Sequence, residues 1–388
     1  MWHGCLLVDV RHLARSFLES RRPSPYITSL NDLHSVVPQS QFTNILVVRT
    51  DRIGDVVLSL PMVHVLRANF PDARISFLLR NYTRELVEGQ PGLDATLSVD
   101  SAQGPKSLIT MLSVIWAHNF DLVVLAYPTF RLALLMFLAR ISTRVGTGYR
   151  WYSFLFTRKV YEHRKTAEKH ELEYNLSLLE VVGCTFERYP KPVLTLSREH
   201  QEAAEKILQE LHLAEAERII VLHPGSGGSA RDWSPENFGK LAHELRAHGY
   251  SVVVTGGSGE ERLVQTVLKL AGDGVHALVN RLSLLELAAF LKHVAVFVSN
   301  STGPLHIAAA VGTPVIGFYP PILACSPQRW GPYSDTKTVF VPDRNACVRC
   351  KGGPCQGNEC MEQIEVNRVV QEVERVLSVP KQTVGEQS

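Results

Sequence analysis

Hydrophobic positions along the chain fall into short unbroken runs, separated by longer stretches that are apolar on one face only. Ile45–Val48 is the first run, wholly apolar and rich in β-branched residues, the pattern of a parallel strand buried on both faces. A loop follows, then an apolar-periodic helix from about Gly54 to Asn69, a second strand at Ile75–Leu79 and a later one at Leu122–Leu125. Leu132–Leu138, the greasiest segment, is bracketed by Arg131 and Arg140 and reads as one short helix. The pattern restarts after residue 195. A polar helix (Glu199–Leu211), a strand (Ile219–Leu222) and a helix (Pro235–His248) precede strands at Ser251–Thr255, Val294–Val298 and Val315–Phe318. Strands alternating with helices predict doubly wound α/β domains. Two such units invite a ligand cleft between them. The expected units span 43–195 and 196–375, after an extension over 1–42 and before a tail over 376–388.

Composition adds limits to this picture. A chain of 388 residues, 45% hydrophobic and 20% charged, is long enough and apolar enough for two packed domains. A net charge of +2 is too small to make nucleic acid the expected partner. No apolar run approaches the roughly 20 residues that span a bilayer. The N-terminal run Cys5–Val10 is short and precedes the basic cluster instead of following it, unlike a secretory signal. The expectation is a cytoplasmic protein that meets membrane only at its surface.

Three segments carry the chemistry. Arg49-Thr-Asp-Arg-Ile-Gly-Asp55 joins the first strand to its helix, where α/β domains place reacting groups. Asp55 there is either a helix cap or a general base for a hydroxyl that loses its proton late. In the second segment, His223-Pro-Gly-Ser-Gly227 leads through glycines to Arg231 and Trp233, then to a helix opening at Ser234-Pro235. A glycine-rich loop lets backbone N–H groups approach a phosphate, and Arg231 would neutralise it. A plain loop with a Ser-Pro helix start explains the same residues. The third segment, Ser299-Asn-Ser-Thr-Gly-Pro-Leu-His306, ends a strand and starts a helix whose free N–H groups form an anion site. Ser301 and Thr302 cap or contact a ligand, and His306 either packs or faces it. A weaker element, Thr255-Gly-Gly-Ser-Gly-Glu-Glu261, offers Glu260 or Glu261 to ribose hydroxyls, or merely decorates a helix start.

In their order, these segments resemble glycosyltransferase family 9, the lipopolysaccharide heptosyltransferase family. The matching residues are Arg49, Ile53-Gly54-Asp55, Pro61, His223-Pro-Gly-Ser-Gly227 with Arg231 and Trp233, Gly256-Gly257 with a Glu, and Ser301-Thr-Gly-Pro-Leu-His306. Arg144-Val-Gly-Thr-Gly-Tyr149 and His170-Glu-Leu-Glu-Tyr-Asn175 also look like family segments. The similarity covers about residues 44–375. It implies a GT-B fold, two Rossmann-like domains facing each other across a cleft, with acceptor bound by 43–195 and donor by 196–375. It implies inverting transfer with no cofactor required for catalysis. The default donor is ADP-heptose, and the acceptor is the lipopolysaccharide core or a related acidic glycolipid or glycan. By resemblance Asp55 is the base and Arg231 meets the donor phosphates. Ser226, Gly227, Thr302, Gly303 and His306 contact the donor, and Glu260 or Glu261 holds its ribose. One departure matters: the family usually has Asp before Thr-Gly, and here that residue is Ser301, which opens the donor sugar to change.

Between Arg131 and Lys165, eight basic residues face Glu162 alone, interleaved with Tyr149, Trp151, Tyr152, Phe154 and Phe156. The stripe is either a solvated basic face or a surface for an acidic glycolipid, with peripheral contact to the cytoplasmic face of the inner membrane. Arg52, Arg144 and Arg150 are the candidate acceptor contacts. No nucleic-acid-binding module accompanies the charge. Cys347, Cys350, Cys355 and Cys360 crowd into 14 residues, as reduced thiols or ligands of a structural zinc. The competing functions are a family 9 transferase with another donor, a nucleotide-sugar epimerase-like enzyme, and a non-catalytic glycan-binding relative.

Overall fold

The computed structural model describes residues 42–215, 218–229, 231–343 and 360–378. Its first sheet contains β1 (Asn44–Val48), β2 (Arg74–Leu79), β3 (Ala95–Ser98), β4 (Leu122–Leu125), β5 (Thr143–Thr147) and β6 (Arg158–Val160). All neighbours are parallel, in the order β3-β2-β1-β4-β5-β6. A second sheet repeats the plan with β7 (Ile219–His223), β8 (Ser251–Gly256), β9 (His276–Val279), β10 (Val296–Asn300), β11 (Val315–Phe318) and β12 (Lys337–Phe340), ordered β9-β8-β7-β10-β11-β12. In each sheet the strand order reverses between its first and fourth strands, the switch point where open α/β sheets bind ligands. The Asp55 segment follows β1, the glycine-rich loop follows β7 and Ser301 follows β10. All three chemical motifs therefore leave switch-point strands.

Helices cover both faces of each sheet: α1 (Ile53–Val57), α2 (Leu60–Asn69), α3 (Leu108–Ala117), α4 (Phe130–Leu138), α5 (Glu171–Glu180) and α6 (Arg198–Glu210), then α7 (Pro235–Ala247), α8 (Glu261–Ala271), α9 (Leu284–Lys292), α10 (Gly303–Ala310), α11 (Pro327–Trp330) and α12 (Val366–Ser378). Strand alternation divides the first core. Leu46 and Val48 pack with Met111, Ile115, Leu132 and Met136, while Ile45 and Val47 share a cluster with Val63 and Leu66. In the second unit Trp233 is fully buried against Phe238 and Phe318, and its indole N–H donates to the Ile364 carbonyl at 2.9 Å. That bond ties the segment before α12 to the core of the second sheet.

Two expected elements need correction. The helix expected over Gly54–Asn69 is two, α1 and α2, broken at Leu58–Ser59. Pro61 explains the break, because its ring has no N–H and clashes with the carbonyl four residues earlier, so a helix starts there instead of continuing. The strand expected over Val294–Val298 runs two residues later, since the Val294 N–H is spent on the Leu291 carbonyl at the end of α9.

Among the described residues, no helix is long and apolar enough to cross a membrane and no group of His, Cys, Asp or Glu forms a metal site. Cys360 is buried in the second core. Cys347, Cys350 and Cys355 lie outside the described residues.

Candidate functional site

The first side of the site is organised by Arg49, a fully buried arginine at the end of β1. Its Nε donates to Asp51 Oδ1 at 2.7 Å, and its Nη1 to Glu171 Oε1 at 3.1 Å and Asn175 Oδ1 at 3.0 Å. Nη2 donates to Asp55 Oδ1. Asp55 sits inside the first turn of α1, whose cap position is Arg52. The cap reading is therefore removed: the carboxylate is aimed by Arg49, not by the helix's own N–H groups. Burial pushes the neighbouring Asp51 carboxyl up to about 7 against the pull of Arg49, and the Asp55 carboxylate beside it adds to the rise. Opposing charges hold the Arg49 guanidinium above its ordinary range despite burial.

Glu171 closes this network from α5. It accepts from Arg49, from Arg164 and from Arg329 Nε at 3.0 Å, and Arg329 belongs to α11 of the second unit. Burial would raise its carboxyl, but the three arginines outweigh that and hold it at about 2. His170 Nε2 adds a bond to the Gly331 carbonyl at 2.8 Å, and Glu85 accepts from the Leu284 N–H at 2.8 Å. The network that positions Asp55 thus also fastens the two sheets' units to each other.

The second side is built on β7, β8 and β10. Gly227 and Gly228 adopt φ of +55° and +72°, a left-handed turn that suits glycine. Asn300 fixes the loop around them: its Nδ2 donates to the Pro224 carbonyl at 2.7 Å and its Oδ1 accepts from the Trp233 N–H at 2.8 Å. His223 Nδ1 lies 3.0 Å from Thr255 Oγ1, and burial lowers its pKa, opposed by Glu260. Thr302 stands at the N-cap of α10 without a side-chain cap bond, so the helix's first N–H groups face outward from its start.

Between the two sides lies a cavity of about 430 Å³. Of the residues expected from sequence, Arg52, Ser226, Gly227, Glu260, Thr302 and Gly303 line it. Asp55, Arg231, Glu261, Ser301 and His306 are not part of its lining. Glu260 Oε2 accepts from the Gly257 N–H at 2.7 Å, whereas Glu261 Oε1 turns to Asn280 Nδ2 and the Gly259 N–H. The Ser301 carbonyl accepts from Ser229 Oγ at 3.3 Å. His306 is buried against Gly54 with its Nδ1 unpartnered, and burial drives its pKa down to about 4, with His170 helping and Asp55 opposing.

Two acceptor candidates sit apart. Arg144 lies near the amino end of β5, away from the cleft edge, and donates to the Leu155 and Ile141 carbonyls while stacking on Phe137 at 5.5 Å. Its guanidinium is engaged in holding the fold. Arg150 is exposed beyond the end of β5. Sequence reasoning missed four features of the site: Arg80 and Tyr82 in the cavity wall, the apolar end formed by Leu278, Leu282, Leu284 and Leu287, and Glu171 and Asn175 on Arg49. Arg80 follows β2 as Arg49 follows β1, a positional signal available in the sequence.

The family model described as glycosyltransferase family 9 (heptosyltransferase) matches residues 111–361, more than half of the chain. A Haemophilus influenzae protein provisionally named a glycosyltransferase is 30% identical over 299 residues, covering 75% of this chain and 86% of its own. The lipopolysaccharide heptosyltransferase 3 of Escherichia coli K12 is 25% identical, over 74% of this chain and 84% of its own. Two solved structures share the fold: a family 9 glycosyl transferase from Veillonella parvula (TM-score 0.75, 22% identity, 86% of this chain and 97% of that one) and the E. coli ADP-heptose heptosyltransferase II (TM-score 0.70, 20% identity, 86% and 98%).

Proposed function

The chain belongs to glycosyltransferase family 9, and from that premise we propose that it moves heptose from ADP-heptose, with inversion, onto the lipopolysaccharide core or a related acidic glycolipid. One observation carries the reading. A cavity with an apolar end at Leu278–Leu287 and a polar end at Gly227 and the start of α10 has the two-ended character of a nucleoside diphosphate. Glu260, hydrogen-bonded to the Gly257 N–H in its wall, is suited to hold the ribose. The relatives named as lipopolysaccharide heptosyltransferases supply the default sugar and acceptor.

In this reading Asp55 takes the proton of an acceptor hydroxyl as its oxygen bonds to the anomeric carbon. The bond from that carbon to the phosphate oxygen breaks, and the diphosphate leaves with the electron pair. The first N–H groups of α10, with Arg52 and Arg231, stabilise the charge that develops there. These residues perform the chemistry without a cofactor. The acceptor is lipid-linked, and transfer takes place at the cytoplasmic face of the inner membrane.

Ser301 favours a second reading, the same reaction with a different sugar, because an acid is the usual family residue at that place. The test is a panel of nucleotide sugars incubated with purified protein and a membrane glycolipid acceptor, with nucleotide release as readout. ADP-heptose should give the fastest acceptor-dependent release, and faster release with another sugar selects the second reading. Failure to bind any nucleoside diphosphate overturns both.

A further inference from the structure

The outer surface of the first unit carries an unusual density of large apolar side chains. α3 reads Leu-Ile-Thr-Met-Leu-Ser-Val-Ile-Trp-Ala, ten residues without a charge, yet it buries only Met111 and Ile115. Ile109 at its start is 82% exposed, Trp151 is 72% exposed and Phe154 68%. Phe130 bridges these places: its ring centroid is 4.7 Å from that of Trp151, and its neighbour Arg131 donates to the Lys106 carbonyl just before α3. The exposed rings therefore form one continuous patch. Scattered apolar residues on a surface need no explanation, but a contiguous patch marks a binding face.

Charge identifies the occupant. Over residues 101–160 the chain has seven basic residues (Lys106, Arg131, Arg140, Arg144, Arg150, Arg158, Lys159) and one acid, Asp121. Asp121 is already taken by the Thr43 and Asn44 N–H groups. Apolar tips with a rim of lysine and arginine match a layer of anionic headgroups over acyl chains. Aromatic residues with a polar edge favour that boundary. Position supports the same partner. Phe130 and Trp151 follow β4 and β5, and Asp55 follows β1, so the patch lies along the edge of the sheet that opens on the cleft.

We propose that the face formed by Ile109, Phe130, Trp151 and Phe154 docks on an anionic phospholipid surface, holding the cleft beside the membrane. This deepens the proposed transfer to a lipid-linked acceptor and rests on that reading. Docking is shallow and reversible: the rings reach the acyl boundary, while Lys106 and Arg131 stay among the headgroups.

The test is flotation of the full-length protein with vesicles of phosphatidylcholine alone or mixed with phosphatidylglycerol, at low and high salt. The protein should float with the anionic vesicles at low salt and lose most of that binding at high salt. The triple variant I109S/W151S/F154S should lower partitioning by about tenfold or more. The charge reversal K106E/R131E should abolish it while leaving the apolar tips in place. ADP affinity, measured by calorimetry, should be unchanged in both variants. That measurement separates this proposal from the transferase reading, which loss of ADP binding by the unmodified protein would overturn instead. No flotation of the unmodified protein, or equal flotation of both variants, overturns the docking proposal. So does a patch that proves to bury itself in a dimer, seen as dissociation of the triple variant in sedimentation without any vesicle binding by the parent.

Discussion

Gly54 and His306 meet so closely across the cleft that a β-carbon on Gly54 would lie 2.6 Å from His306 Cδ2. The mirror contact is as tight: a β-carbon on Gly303 would lie 2.6 Å from Ile53 Cβ. The starts of α1 and α10 therefore touch through two glycines, which sets Asp55 beside the helix end proposed to receive the diphosphate. Gly54→Ala and Gly303→Ala should push this seam apart. Because a misplacement of about 1 Å costs up to roughly 100-fold in rate, kcat should fall by ten- to a hundredfold. ADP affinity should fall much less in Gly54→Ala. Steady-state kinetics with calorimetry checks this, and full activity in Gly54→Ala would show that the seam opens freely.

Glu171 should dominate acid stability. Its carboxyl is held at about 2 in the fold, below the ordinary 4.5. A depressed carboxyl stabilises the fold above its unfolded value, and that contribution disappears as pH falls from 4.5 towards 2. Glu171→Gln leaves Arg49, Arg164 and Arg329 without their shared buried anion and should cost about 3–5 kcal/mol at neutral pH. Its stability should then change less on acidification over that window. Urea unfolding at several pH values measures both effects.

Asp51 should behave in the opposite sense. Burial raises its carboxyl to about 7 from the ordinary 3.8, so the folded protein binds the proton more tightly than the unfolded chain. Its contribution to stability is largest at low pH and declines as pH rises from 3.8 to 7. Asp51→Asn should remove that decline. It should also remove an inflection near neutral pH from the kcat profile, because the carboxyl that titrates there stands beside Asp55.

Of two adjacent glutamates, only Glu260 lines the cavity. Glu260→Ala should weaken ADP binding by about 10- to 100-fold, the loss of one or two hydrogen bonds to a charged group. Glu261→Ala, which loses contacts to Asn280 and Gly259, should bind ADP nearly as before. Calorimetric titration with ADP distinguishes them.

The residues legible in the sequence were those whose surroundings are local. Ile45–Val48 announced itself by β-branched apolar run, and Gly227 and Thr302 by their place after a strand. Edge strands were illegible: β6 and β12 are short and carry Arg158, Lys159 and Lys337, so their pattern is set by neighbours on one side only. Glu171 was visible in a family-like segment, but its role depends on Arg49, 122 residues away, and on Arg329, 158 residues away. Arg144 shows the reverse difficulty. An arginine in a basic stripe reads as available, and only the Leu155 and Ile141 carbonyls reveal that its guanidinium is engaged.

The central claim is that this site transfers a sugar with Asp55 as base. Its most direct test is acceptor-dependent release of ADP from ADP-heptose by the unmodified protein and by Asp55→Asn, with ADP affinity measured alongside. The expected result is release that falls by about 10²–10⁴-fold in the variant, the range of a general base, at unchanged ADP affinity. Release at the parent rate by Asp55→Asn would contradict the assignment.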